Sequence, residues 1–324
     1  TLILHPVNVE SLMDEFTLTI IGSGSALPMH GRHPSAQVVQ YDDLCCLIDC
    51  GEGTQERLRP AGVRPFQIDI ILISHLHGDH IFGLPGLLSS YTHLGRSEPL
   101  SIFGPVGLKG FLESIIGYTE MTVSFPLSII EESPVGLSRI VVRENIEIWT
   151  FPLYHRIACN GYLFRELSSN IRLNKERLHD YGLTPVQIKE VKRGEEIEHG
   201  RGRIPSSVFI LQPLPPVSYA YCSDTRYDQC LLNAIQGVSV LYHETTFMNE
   251  LEEMADHTGH STAGQGGMMA AEAGVSCLIT GHYSSRYKDV QPLIEEVRVN
   301  FRPVIESEEG KKYNLRNLAK GLTH

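Results

Sequence analysis

Apolar residues in this chain gather in short β-branched runs that end in polar turns, with amphipathic stretches between them. Phe16 to Ile21, Cys45 to Ile48 and Ile70 to Ile73 read as strands, the last two without apolar–polar alternation and so predicted to be buried on both faces. The first ends in the small-residue turn GSGSALP, whose glycines fit a sharp bend and no phosphate-loop spacing. The second ends in DCGEGTQERL, where a helix begins at Gly53 to Leu58. The third passes through a polar loop into a helix-like pattern from Ile81 to Leu88. Downstream, LSIFGPVGL reads as a strand and then a helix with Pro105 near its start. Met121 to Trp149 reads as a series of strands, and SYAYC and CLITG as two more. VQPLIEEVRVNF is an amphipathic helix, and the polar tail over 306–324 is expected to be loose. Strands alternating with helices predict layered α/β architecture, with residues 1–324 as a single domain.

The loop after the third strand changes the picture from fold to chemistry. His75, His77, Asp79 and His80 fall within six residues of SHLHGDH, at a strand-to-helix turn. Imidazole and carboxylate suit zinc, and two ligand pairs in one loop point to two ions rather than one. Asp49, at the end of the second strand, is a candidate brace for this loop. Further candidates follow apolar runs: His155 in TFPLYHR, Asp224 in SYAYCSDT and His282 in CLITGHYSSRY.

From Asn170 to Glu198 the texture is polar, and the helical stretch from Asn174 to Gly194 tends to basic. NKERLHDYG is a short helix closed by Gly182; Thr184 and Pro185 supply an N-cap and first helical position for a second, closed at Gly194. The pair is predicted to be an inserted αα-hairpin over 170–198 with too few apolar residues for a core.

Composition limits the function classes. At 42% apolar and 20% charged the chain is an ordinary globular protein. No run reaches the roughly 18 apolar residues of a membrane helix, and the opening TLILHPVNVESLMDEF lacks a signal peptide's basic flank. Seven scattered cysteines without a CxxC are expected to be reduced and buried, as in a cytoplasmic protein. A net charge of −11 would repel a polyanion, yet Arg165 to Arg203 holds nine Lys/Arg against seven Asp/Glu.

HxHxDH after a hydrophobic strand resembles the metallo-β-lactamase superfamily. DCGEGTQ, SHLHGDHIFGLPGLL, HETTF, HST and HYSSRY, in that order over residues 16 to 300, resemble the ribonuclease Z family, the tRNA 3′-processing endoribonucleases. The resemblance implies an αββα metallo-β-lactamase sandwich with a protruding helical-hairpin arm that grips tRNA. The family's Pro-Gly-Pro stretch in that arm is absent; LTPVQI stands there. The resemblance also implies two Zn2+ per chain, with Mn2+ or Fe2+ as substitutes. His75, His77 and His155 would hold one ion and Asp79, His80 and His282 the other, with Asp224 bridging. Asp79, His260 and Glu244 would be catalytic, with His260 the proton donor backed by Glu244; His243 and His257 are weaker candidates. Lys189, Lys192, Arg193 and Arg286 would bind substrate. Precursor tRNA is the implied partner, and the short length implies a homodimer, with no membrane association.

Three other functions compete. A small-molecule hydrolase of this fold, acting on a phosphodiester, lactone or thioester, would share the ligands but need neither the hairpin nor HST. A diiron oxygen-reducing protein would carry Glu where His77 stands. A non-catalytic RNA-binding module would be expected to lose ligands, and all are present.

Overall fold

The computed structural model describes residues 16–143, 145–167, 172–200, 202–211 and 214–321. The opening segment and Asn170, the predicted start of the hairpin, lie outside them. Two seven-stranded mixed sheets form the framework. The first runs, edge to edge, Lys312–Asn314, Phe16–Gly22, Ala36–Tyr41, Leu44–Ile48, Ile70–Leu72, Leu100–Gly104 and Leu127–Glu131. The second runs Val304–Glu306, Cys277–Gly281, Val240–Glu244, Ser218–Cys222, Cys159–Glu166, Ile146–Leu153 and Ser138–Val142.

The unbroken apolar runs are explained by burial on both faces. Ala36, Val38, Cys45, Leu47, Ile71 and Ile73 pack with Leu84, Leu87, Leu88, Leu108 and Leu112 from the helices Leu84–His93 and Leu108–Tyr118. The alternate residues Gln37, Val39, Cys46, Ile48 and Leu72 are equally buried but belong to the opposite face. In the second sheet Ala220, Cys222, Leu241 and Leu278 pack on the helices Ala263–Ala273 and Gln291–Asn300, leaving Tyr219, Tyr221 and Tyr242 on the other face. Tyr219 donates to Gln37 at 2.5 Å and Tyr221 to Asp49 at 2.7 Å, so the two free faces meet. Helices outside, sheets within: this is the αββα sandwich of a metallo-β-lactamase fold.

The chain resolves into two compact units rather than the expected single domain. Residues 142–147 and 165–216 form the second, which is larger than a helix pair. Its helices Lys175–Asp180 and Pro185–Lys192 start and stop as predicted, with Asn174 and Thr184 capping and Gly182 and Gly194 in the left-handed region. The expectation of no core fails. Leu178, Val191, Ile197 and Phe209 are buried together, flanked by Leu183, Ile188, Ile204 and Ile210. Ile204, Phe209 and Ile210 lie beyond the predicted 170–198 span, and Ile197 sits at its very end, in the hairpin Ile197–His199/Gly202–Ile204.

Over its described residues, 306–321, the tail is not loose either. Lys312–Asn314 pairs with Phe16–Gly22, and Tyr313, Leu315 and Leu318 are buried. Three apolar residues spaced for one strand and one short helix suffice to dock a segment that averages as polar. Six cysteines are buried as expected; Cys230 is exposed, because it sits in a surface turn after Asp228.

Candidate metal centre

Every candidate ligand outside the loop follows a strand or ends one, and the strands deliver them to one end of the sandwich. Ile70–Leu72 is followed by His75, Ser218–Cys222 by Asp224, Cys277–Gly281 by His282 and Ile146–Leu153 by His155. Asp49, Asp224 and His282 all have positive φ, of 57°, 56° and 55°. Such backbone is costly for residues with a Cβ and persists where the surroundings enforce it, commonly at functional sites.

Seven donors converge in two groups. His75, His77, His155 and Asp224 form one, and Asp79, His80 and His282 the other, each with ligand atoms within 4.8 Å of one another. The Asp224 fork spans both. Its Oδ1 lies 3.2 Å from His80 Nε2 and 3.1 Å from His282 Nε2, whereas Oδ2 faces His75 Nε2 at 3.5 Å and His155 Nε2 at 3.9 Å.

The outer hydrogen bonds set the tautomers. His80 Nδ1 donates to Asp49 Oδ2 at 2.8 Å, and His155 Nδ1 to the Gly259 carbonyl at 2.7 Å. Ser74 gives its hydroxyl proton to Asp49, so it accepts from His75 Nδ1 at 3.0 Å. Thr246 likewise donates to Glu244 and accepts from His282 Nδ1 at 2.9 Å. With their Nδ1 atoms taken by these outer partners, the Nε2 atoms of His75, His80, His155 and His282 all point inward. His77 turns Nδ1 into the same space, 3.0 Å from His75 Nε2 and 3.2 Å from His155 Nε2. Nitrogen lone pairs facing one another at that distance repel, and a cation between them removes the repulsion. The donors therefore fit a pair of divalent ions, with outer partners of the kind that orient metal-bound histidines.

Charge points the same way. Burial pushes the His80 pKa down, but Asp224, Asp49 and Asp79 overcome it and hold the pKa well above the usual range. Burial likewise opposes ionisation of Asp79, yet His80's charge and hydrogen bonds from His282 and His80 keep its carboxyl far below the carboxylate range. Buried acids this close together require positive charge among them.

Two glycines make room. Gly259 has φ 74°, and a Cβ there would meet His155 Nδ1 at 2.9 Å. Gly51 of DCGEG lies under the metal loop, where a Cβ would meet the Asp79 carbonyl oxygen at 2.5 Å.

His260 stands beside the donors. Its Nδ1 donates to Glu244 Oε1 at 3.1 Å, and its ring lies 4.9 Å from that of His155 and 5.4 Å from that of His282. Burial would lower its pKa, but the Glu244 carboxylate raises it to about 9. Glu244 is itself fully buried and also accepts from the Thr225 N–H at 2.6 Å. Of the weaker candidates, His243 is buried with Nδ1 donating to the Glu244 carbonyl, and His257 is exposed in a helical turn. Arg286 is exposed with its guanidinium 5.7 Å from the Phe247 ring, which itself lies 6.1 Å from His260. Lys189, Lys192 and Arg193 are exposed in the second unit, Arg193 in an ion pair with Glu195 at 2.8 Å. Sequence reasoning overlooked Ser74, Tyr221 and Thr246, which sit inside quoted motifs but carry no ligand chemistry of their own.

The model of the family described as Anti-Pycsar protein Apyc1 matches residues 16–113. Ribonuclease Z of Porphyromonas gingivalis is 38% identical over 304 residues, covering 94% of this chain and 100% of that protein. Ribonuclease Z of Cytophaga hutchinsonii is 39% identical over 301 residues, covering 92% and 96%. Among solved structures, human tRNase Z, short form, superposes with a TM-score of 0.67 at 22% identity, covering 92% of this chain and 99% of that one. Identity of 38–39% to these ribonucleases Z over more than nine-tenths of the chain, together with the seven-donor site, makes this chain a member of the ribonuclease Z family.

Proposed function

We propose that this protein removes the 3′ trailer from precursor tRNA, leaving a 3′-hydroxyl on the tRNA and a 5′-phosphate on the trailer. The single observation that carries it is the convergence of seven donors, four buried and three partly buried, beside the His260–Glu244 pair. His75, His77 and His155 would hold one ion, Asp79, His80 and His282 the other, and Asp224 would bridge them. The ions, zinc by preference, supply when bound the charge that a phosphodiester needs during in-line displacement.

The chain's own groups do the rest. Asp79 Oδ2 faces the site and can accept the proton of the attacking water. His260 as the imidazolium can give its Nε2 proton to the departing ribose 3′-oxygen, while Glu244 holds Nδ1 and stabilises the positive charge. Arg286 and the basic residues of the second unit, Lys189, Lys192 and Arg193, would contact RNA phosphates. The protein would act as a homodimer in the cytoplasm.

Hydrolysis of a small phosphodiester, lactone or thioester would use the same donors. The match to the anti-Pycsar family spans the metal loop but stops before His155, Asp224, Glu244, His260 and His282. Incubation with a precursor tRNA bearing a trailer, followed by mapping of both product ends, tests the proposal. Hydrolysis of a small aryl phosphodiester with no cut in the precursor would favour the second function.

A further inference from the structure

The segment expected to be a loose tail carries a largely buried carboxylate that accepts five hydrogen bonds from three residues. Glu309, 9% exposed, accepts on Oε1 from the Ser23 N–H at 3.0 Å, the Ser23 hydroxyl at 3.1 Å and the His33 N–H at 2.7 Å. Its Oε2 takes the Arg57 guanidinium at 2.6 Å and His33 Nδ1 at 2.8 Å. Arg57 in turn donates to the Ile21 carbonyl at 2.8 Å.

Ser23 and His33 are the two ends of one loop, closed by the Gly24 N–H on the His33 carbonyl at 2.9 Å. At its near side Ala26 adopts φ 59°, a conformation an alanine holds only under constraint. That conformation aims the Ala26 N–H at Asp79 Oδ2, 2.8 Å away. The same oxygen lies 3.5 Å from His80 Nε2 and 3.6 Å from His282 Nε2. One carboxylate therefore grips both ends of the loop whose strained residue holds a ligand of the second ion group.

We propose that Glu309 is a positioning residue for that second ion: by clamping Ser23 to His33 it keeps the Ala26 N–H on Asp79, and so keeps Asp79 aimed at the His80–His282 pair. The inference rests on the two-ion site. Outer partners of metal ligands characteristically change metal affinity by about 10–100-fold when removed. Glu309 acts one step further out, through a backbone that has no other carboxylate gripping both its ends among the hydrogen bonds of the described residues.

The test is zinc binding by the full chain, measured with zinc alone against a competing chelator and by elemental analysis. Wild type should bind two ions. Glu309→Ala should bind one of the two ions about 10–100-fold more loosely, with the other unchanged. Glu309→Gln conserves volume, loses one accepting oxygen and should move the same way by less; it serves alone should the alanine variant fail to fold. Leu318→Ala cuts a buried apolar side chain from the same C-terminal segment and removes no hydrogen bond to the loop, and should leave both affinities alone. Unchanged binding by the Glu309 variants overturns the proposal, as does an equal loss in Leu318→Ala, which would mark a general loosening. Fewer than two ions on wild type would overturn the two-ion site itself, and this inference with it.

Discussion

Asp224 is the residue on which both ion groups depend, because its two oxygens face different sets of histidines. Asp224→Ala should therefore lower bound metal in both groups and cost more activity than His77→Ala, which removes one terminal donor; elemental analysis beside turnover checks this. His260 differs in kind. Its Nδ1 is taken by Glu244, so its loss should leave the metal in place while turnover falls by about 10²–10⁴. Equal loss of metal would make it a ligand, a role that its nearness to Asp224 and His282 allows. Glu244→Gln should follow His260→Ala in direction by a smaller factor, and the double variant should cost less than the product of the two, since one acts through the other. At this scale the loop donors drew notice in sequence as four ligand types within six residues, and His155, Asp224 and His282 only through the order of the family's motifs. Ser74, Tyr221, Thr246 and Glu309 were not legible, because a hydroxyl or carboxylate gains its role only from a partner brought near by folding; Glu309 and Ser23 are 286 residues apart.

Among the elements, the strands were the most readable, since burial on both faces writes itself as unbroken apolar runs. Caps and glycine stops gave the helices of the second unit to the residue. What failed was its core, whose apolar residues are contributed by four separate short pieces, and the tail, whose few apolar residues are diluted by charge. With a core and capped helices of its own, the second unit has the means to present basic side chains in fixed places. Charge reversal at Lys189 and Lys192 should weaken binding of precursor tRNA and reduce the salt slope by about one unit per lost phosphate contact. Reversal at Arg193 should do less, because Glu195 already neutralises it. Hydrolysis of a small aryl phosphodiester should be unaffected by all three. If it falls with RNA cleavage, these residues belong to the chemistry; if neither changes, the unit does not bind RNA.

At the level of the whole molecule, the ions would join what the chain leaves separate. His75, His77, Asp79 and His80 descend from the first sheet, and His155, Asp224 and His282 from the second. Binding therefore bridges two layers whose union is otherwise maintained by side-chain packing and a few hydrogen bonds such as Tyr221 to Asp49. Unfolding parts these donors and scatters them along a chain, where they bind zinc weakly. An ion present at a hundred times its dissociation constant then stabilises the folded state by about 2.7 kcal/mol. An unfolding entropy of about 2.1 cal/mol/K per residue, spread over 324 residues, turns that into roughly 4 °C per ion, or roughly 8 °C for the pair. Chelator should accordingly lower the melting temperature by that amount, and restored zinc should recover it in two steps as each group fills. Asp224→Ala should abolish most of the shift, whereas His260→Ala should keep it. A melting temperature indifferent to chelator, with both ions shown to have left, would mean that the sheets hold the site ready-made and that the ions serve the reaction without supporting the fold.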